Sequence, residues 1–156
     1  MPSAQDRTAL AAAVGATLAD LQAAYDDRDR ALSQALGVNR TDLRCLDLVV
    51  RGGPQTATEL AARLHLTRGS MTTLLDRLER VGYVERRDDP HHGRRKPVVP
   101  TRKLLDALAP LLETAIENGQ ARLARYSDAE LGLILGFLQE TRDGQAAVIE
   151  GIRARG

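Results

Sequence analysis

Residues 56–101 decide the fold: Thr56-Ala57-Thr58-Glu59-Leu60 through Leu64-His65-Leu66-Thr67-Arg68-Gly69-Ser70-Met71-Thr72-Thr73-Leu74-Leu75-Asp76-Arg77-Leu78, then Gly82-Tyr83-Val84-Glu85-Arg86-Arg87, Gly93-Arg94-Arg95-Lys96 and Pro97-Val98-Val99-Pro100-Thr101. Thr56 and Glu59 have the spacing of a capping box, in which the hydroxyl accepts from a free backbone N–H and the carboxylate reaches back to the cap. Leu60 and Leu64 give that short helix its core face. After a turn around His65-Leu66, Thr67 is placed to cap a second helix with Met71, Leu74, Leu75 and Leu78 on its apolar side, and Gly82 ends it. Tyr83 to Arg87 reads as a short strand, Asp88 to Lys96 as a hairpin loop with a cationic tip, and Pro97 to Pro100 as the return strand. Prolines at both ends predict that the return strand is an exposed edge. Two short helices, a tight turn and a charged hairpin, in that order, form the pattern of a winged helix-turn-helix, which lays one helix in a DNA major groove.

Toward the N-terminus, Leu10, Val14, Leu18, Leu21, Tyr25, Leu32 and Leu36 recur mostly three or four apart and predict a long amphipathic helix ended by Gly37. A second helix fits Thr41 to Val50, stopped by Gly52-Gly53-Pro54. Toward the C-terminus, a helix from Thr101 carries Leu104, Leu108, Leu111, Leu112, Ile116 and Leu123, and Pro110 should kink or split it. The last helix starts at a second capping box, Ser127-Asp128-Ala129-Glu130, and continues through Leu131, Ile134, Leu135, Leu138, Val148, Ile149 and Ile152. These helices offer more apolar stripe than a small reading head can cover, which predicts a second copy of the chain as partner. The expected fold class is mainly α with a small β-hairpin wing: an N-terminal dimerisation helix (1–37), a winged helix-turn-helix (38–101) and C-terminal dimerisation helices (102–156).

Net charge says little, since 22 Lys and Arg stand against 21 Asp and Glu. Its distribution says more. Between Thr67 and Lys103 ten cations face five acids, leaving about +5 there and about −4 elsewhere, a segregated field that steers a polyanion to one face. Aromatic residues are 3% of the chain and tryptophan is absent, which argues against a base-stacking platform for single strands. One cysteine, Cys45, excludes an internal disulfide and fits a reducing, cytoplasmic compartment. No export signal and no apolar run of the roughly 20 residues that span a bilayer stands in the sequence, so no membrane partner is expected. No nucleophile, base and orienting group stand at a recognisable spacing and no phosphate-binding glycine loop follows a strand, so an enzyme is not expected. His91 and His92 are adjacent on a loop and His65 is remote from them, which reads as surface histidines with no metal or cofactor.

Together these residues resemble the MarR family of bacterial transcriptional regulators. The likeness rests on Thr58-Glu59-Leu60-Ala61, on Leu66 to Thr72, on Leu75-Asp76-Arg77-Leu78-Glu79-Arg80-Val81-Gly82-Tyr83-Val84, and on the wing from Asp89-Pro90 through Gly93-Arg94-Arg95 to Val98 and Thr101. The resemblance implies a homodimer built by helices from both chain ends, a double-stranded DNA operator of pseudo-palindromic form, and a small-molecule effector, aromatic or anionic. It places Arg68, Ser70, Thr72 and Thr73 on the groove-facing part of the recognition helix, Arg77 on its phosphate-facing flank, and Arg94, Arg95 and Lys96 on the wing, with Arg94 or Arg95 entering the minor groove. His92 stands where the family usually holds an aspartate that braces this arginine, and Leu104 lies where a glycine is frequent. Tyr25, Arg44 and Tyr126 are loose candidates for the effector site. A repressor is expected, because occupying promoter DNA suffices for repression. Two competing readings are a winged helix used as a protein-interaction module and a redox-sensing regulator using Cys45. Against the second, the apolar neighbours Leu43, Leu46 and Leu48 should raise the thiol pKa and make it inert.

Overall fold

A computed structural model of the chain describes residues 4–88 and 96–155. The element order is α1 (Ala4–Leu36), α2 (Arg40–Gly52), β1 (Gln55–Thr56), α3 (Ala57–Leu64), α4 (Arg68–Val81), β2 (Val84–Arg86), β3 (Pro97–Pro100), α5 (Arg102–Leu123) and α6 (Asp128–Arg153). It divides into two compact units, Met1–Leu111 and Leu112–Gly156.

Local chemistry sets the helix ends in the first unit. Gly37, at φ 65°, closes α1 in the left-handed region that costs glycine least. The side chain of Asn39 accepts from the Asp42 backbone N–H at 2.8 Å and starts α2 one residue before the expected Thr41, while the helix runs on to Gly52. The Thr56 capping box forms as expected, with the Thr56 N–H donating to Glu59 Oε2 at 2.7 Å. His65 takes φ 55° to turn the chain between α3 and α4, an uncommon conformation for a side chain with a Cβ. Thr67 Oγ1 then accepts from Ser70 N–H at 3.2 Å, and Gly82 at φ 81° ends α4.

The core lies where these three helices and the sheet meet. Cys45, Leu46 and Val49 of α2, Leu60 of α3, and Met71, Leu74, Leu75 and Leu78 of α4 are buried together with Tyr83, Val84, Val98 and Leu104. Fully burying one such aliphatic side chain stabilises by about 1.5–3 kcal/mol, so α4 is held by its inner row and its outer row need not pack.

The sheet corrects one expectation. Its order is β1-β3-β2, so β3 is the central strand and not an exposed edge. It pairs antiparallel on both sides, with Gln55 opposite Val98 and Thr56 opposite Pro97, and with Val84 opposite Pro100 and Glu85 opposite Val99. The prolines permit this because they occupy the two ends of the strand: Pro97 serves through its carbonyl, which accepts from Arg87 N–H at 2.9 Å, and Val98 and Val99 supply the interior N–H groups. At two residues, β1 is too short for a period of two to announce it in the sequence. The hairpin is therefore a three-stranded sheet whose third strand comes from the segment before α3.

α5 continues through Pro110 and does not split there. In the second unit, Ser127 and Glu130 form the expected capping box of α6. No α6 residue is buried.

Candidate DNA interface

The outer face of α4 carries Arg68, Gly69, Ser70, Thr72, Thr73, Asp76 and Arg80, all exposed, above the buried row of Met71, Leu74, Leu75 and Leu78. Burial on one side thus presents a polar surface on the other, beginning with small groups that permit close approach. Thr72 Oγ1 donates to the Arg68 carbonyl at 3.0 Å. Its proton is committed, which leaves oxygen lone pairs to accept from a base amino group. Ser70 Oγ and Thr67 Oγ1 share a hydrogen bond at 2.9 Å that ties the first exposed hydroxyl of the outer face to the cap. Arg68 and Arg80 make no ion pair with another described residue, so their charges face solvent.

Arg77 differs from these. Its Nε donates to Asp42 Oδ2 at 2.8 Å and its Nη2 to Asp42 Oδ1 at 2.5 Å, so the guanidinium is engaged with α2 and not turned toward solvent alone. These hydrogen bonds push the Arg77 pKa further up, against a smaller opposing effect of burial. Asp42, with a side chain 2% exposed, was missed by sequence reasoning. Its only signal was an acid in the first turn of a helix, and nothing local pointed to a partner 35 residues on.

Other side chains set the frame of the helix. Arg86 of β2 reaches back to Glu79 at 2.6 Å and Asp76 at 3.1 Å, joining the base of the wing to α4. Lys103 Nζ donates to the Val81 carbonyl at 2.6 Å, satisfying a free acceptor at the C-terminal end of α4, and Thr101 Oγ1 donates to the Gly82 carbonyl at 2.6 Å. The buried Tyr83 hydroxyl donates to the Leu36 carbonyl at 3.0 Å, linking the end of α1 to the second residue beyond α4. Part of the cationic field is thereby neutralised within the protein: Arg87 pairs with Glu85 and Lys96 lies 3.5 Å from Asp88. Arg94, Arg95 and His92 lie outside the described residues.

The remaining candidates are scattered. Tyr25 is half-exposed on α1 with the Arg28 guanidinium 4.9 Å from its ring centre, Arg44 is exposed on α2, and Tyr126 belongs to the second unit. Cys45 is fully buried, and burial first, then the charge of Asp42, pushes its thiol up to about 12. Among the described residues no group of three or more His, Cys, Asp or Glu could hold a metal ion, and no helix is long and apolar enough to cross a membrane.

A capped, buried-row helix following a left-handed turn, braced by a three-stranded sheet, defines a winged helix-turn-helix of the DNA-binding class. The model of the MarR family matches residues 36–95. The chain is 37% identical over 124 residues to the HTH-type transcriptional regulator YcgE of Bacillus subtilis (strain 168), covering 80% of each protein. Its fold resembles that of a MarR family protein from Bacillus stearothermophilus at TM-score 0.62 and 21% identity, covering 89% of this chain and 97% of that one. A transcriptional regulator from Thermotoga maritima gives TM-score 0.60 at 21% identity, with 88% and 96% covered. The chain belongs to the MarR family and is a transcriptional regulator.

Proposed function

We propose that this regulator acts as a cytoplasmic homodimer that represses transcription by occupying a pseudo-palindromic operator and releases it on binding a small aromatic or anionic effector. The observation that carries the reading is the outer face of α4, where Arg68, Ser70, Thr72 and Thr73 are exposed directly above a fully buried inner row. In this reading Arg68 and the three hydroxyls contact base edges and flanking phosphates, while Arg94, Arg95 and Lys96 approach from the wing. Residues 38–101 form the reading head, and 1–37 with 102–156 form the dimer, a division favoured by the exposed apolar side chains of α1, α5 and α6. Tyr25, Arg44 and Tyr126 are the effector candidates, each a solvent-exposed aromatic or cationic group.

A two-fold dimer addresses one face of the duplex twice, so footprinting should show an inverted repeat with half-sites about 10 base pairs apart. Arg68→Ala and Thr73→Ala should change base preference as well as affinity, measured by selection from a random duplex pool. A single asymmetric half-site, with both variants keeping the wild-type preference, would overturn the assignment. Salt separates this function from a protein-interaction module, since DNA binding weakens steeply as counterions compete and an apolar interface does not.

A further inference from the structure

Arg77 of α4 and Asp42 of α2 form a two-point ion pair that joins the two helices. We propose that Arg77 is a positioning residue for operator recognition, holding α4 in place on α2 through Asp42 instead of contacting a DNA phosphate. The proposal rests on the DNA-reading function above.

Four observations carry it. Both donors on one edge of the guanidinium are used, Nε on one carboxylate oxygen and Nη2 on the other, a planar two-point fit that fixes orientation as well as distance. The Asp42 side chain is 2% exposed, so an Arg77 that swung out to a phosphate would strand a buried carboxylate without a partner. Asp42 is itself fixed, since its backbone N–H is held by Asn39 Oδ1 in the first turn of α2, where the helix dipole favours a negative charge. Arg77 lies one helical turn beyond Thr73, so a shift of α4 at this bond displaces the groove-facing residues directly.

The test compares wild type, Asp42→Asn, Arg77→Gln and the double variant on two probes: a duplex selected by the wild-type protein from a random pool, and a scrambled duplex of equal length. Titrations are run at several salt concentrations, at a temperature where circular dichroism shows each variant folded. Each single variant should lose about tenfold or more on the selected duplex, the size of one misaligned base contact, and far less on the scrambled one. The double variant should be no worse than the weaker single, because the two side chains act as one unit. The slope of log Kd against log salt should stay at the wild-type value. An Asp42→Asn protein that binds the selected duplex as tightly as wild type, or more tightly, would overturn the proposal, as would an Arg77→Gln protein that weakens both duplexes alike and lowers the slope by about one. If a single variant does not fold, the double variant, which leaves no unpaired charge, decides: wild-type affinity for the selected duplex overturns the proposal and a selective loss supports it. Failure of the wild-type protein to select any duplex would strike the DNA-reading function, an outcome separate from either.

Discussion

Cys45 sits at 0% exposure on the buried face of α2, with its thiol moved from 9.0 to about 12 by burial and, secondarily, by Asp42. The thiolate is the reactive form, so the folded protein should resist a thiol-directed alkylating reagent at pH 8 and react fully once denatured. Rapid alkylation of the native protein would bring back the redox-sensing reading. The same burial fixes the sign of a pH effect. The unfolded thiol loses its proton above pH 9.0 while the folded one holds it to about 12, so stability falls as pH rises through that window. The fall attributable to Cys45 is at most about 1.4 kcal/mol per pH unit, and denaturation of wild type against Cys45→Ala should show a smaller decline in the variant. The burial of Cys45 was legible in the sequence because its neighbours Leu43, Leu46 and Leu48 declare an apolar setting. The Asp42–Arg77 pair was not, because it joins residues 35 apart.

Among the elements, α4 is capped at both ends, by Thr67 and by Gly82. Thr67 accepts from Ser70 N–H and shares a hydrogen bond with its hydroxyl, so Thr67→Ala should cost about 1 kcal/mol in chemical denaturation, whereas Thr67→Ser should be nearly neutral. The alanine variant should also bind the selected duplex more weakly, because its first turn carries Arg68 and Ser70. The wing is tied to the same helix by Arg86 through Asp76 and Glu79. At the hairpin, Arg94→Ala or Arg95→Ala should cost about 1–3 kcal/mol of operator binding and reduce preference for A·T-rich flanks, measured by titration. Unchanged affinity in both variants would remove the wing from recognition. The capping boxes of α3 and α6 were legible because a cap is a contact between residues three apart. The central place of β3 was not, because it depends on the two-residue β1 returning from before α3.

At the scale of the whole molecule, α6 is 26 residues long, buries none of them and exposes Leu133 at 76% and Ile152 at 67%. α1 likewise exposes Leu10 at 67%. Exposed apolar side chains of this kind call for cover, and in the proposed dimer a second copy supplies it. Deleting the segment after Tyr126 should yield monomers or insoluble protein by analytical ultracentrifugation, and any soluble fraction should lose high-affinity binding to a two-half-site duplex. A soluble, dimeric truncation with full DNA binding would exclude the last helix from the interface.

The sequence by itself determined the helix-turn-helix, its caps, its buried row and the exposed face above it, because capping and helical periodicity act over three to seven residues and leave their spacing in the chain. Only the tertiary structure decided which strand is central, and which cations face solvent and which are spent inside the protein. Arg68 and Arg77 are equally basic in the sequence. One stands on the exposed outer face of α4 and the other holds a buried carboxylate on α2, a difference created when folding brings Asp42 to within hydrogen-bond distance of one of them.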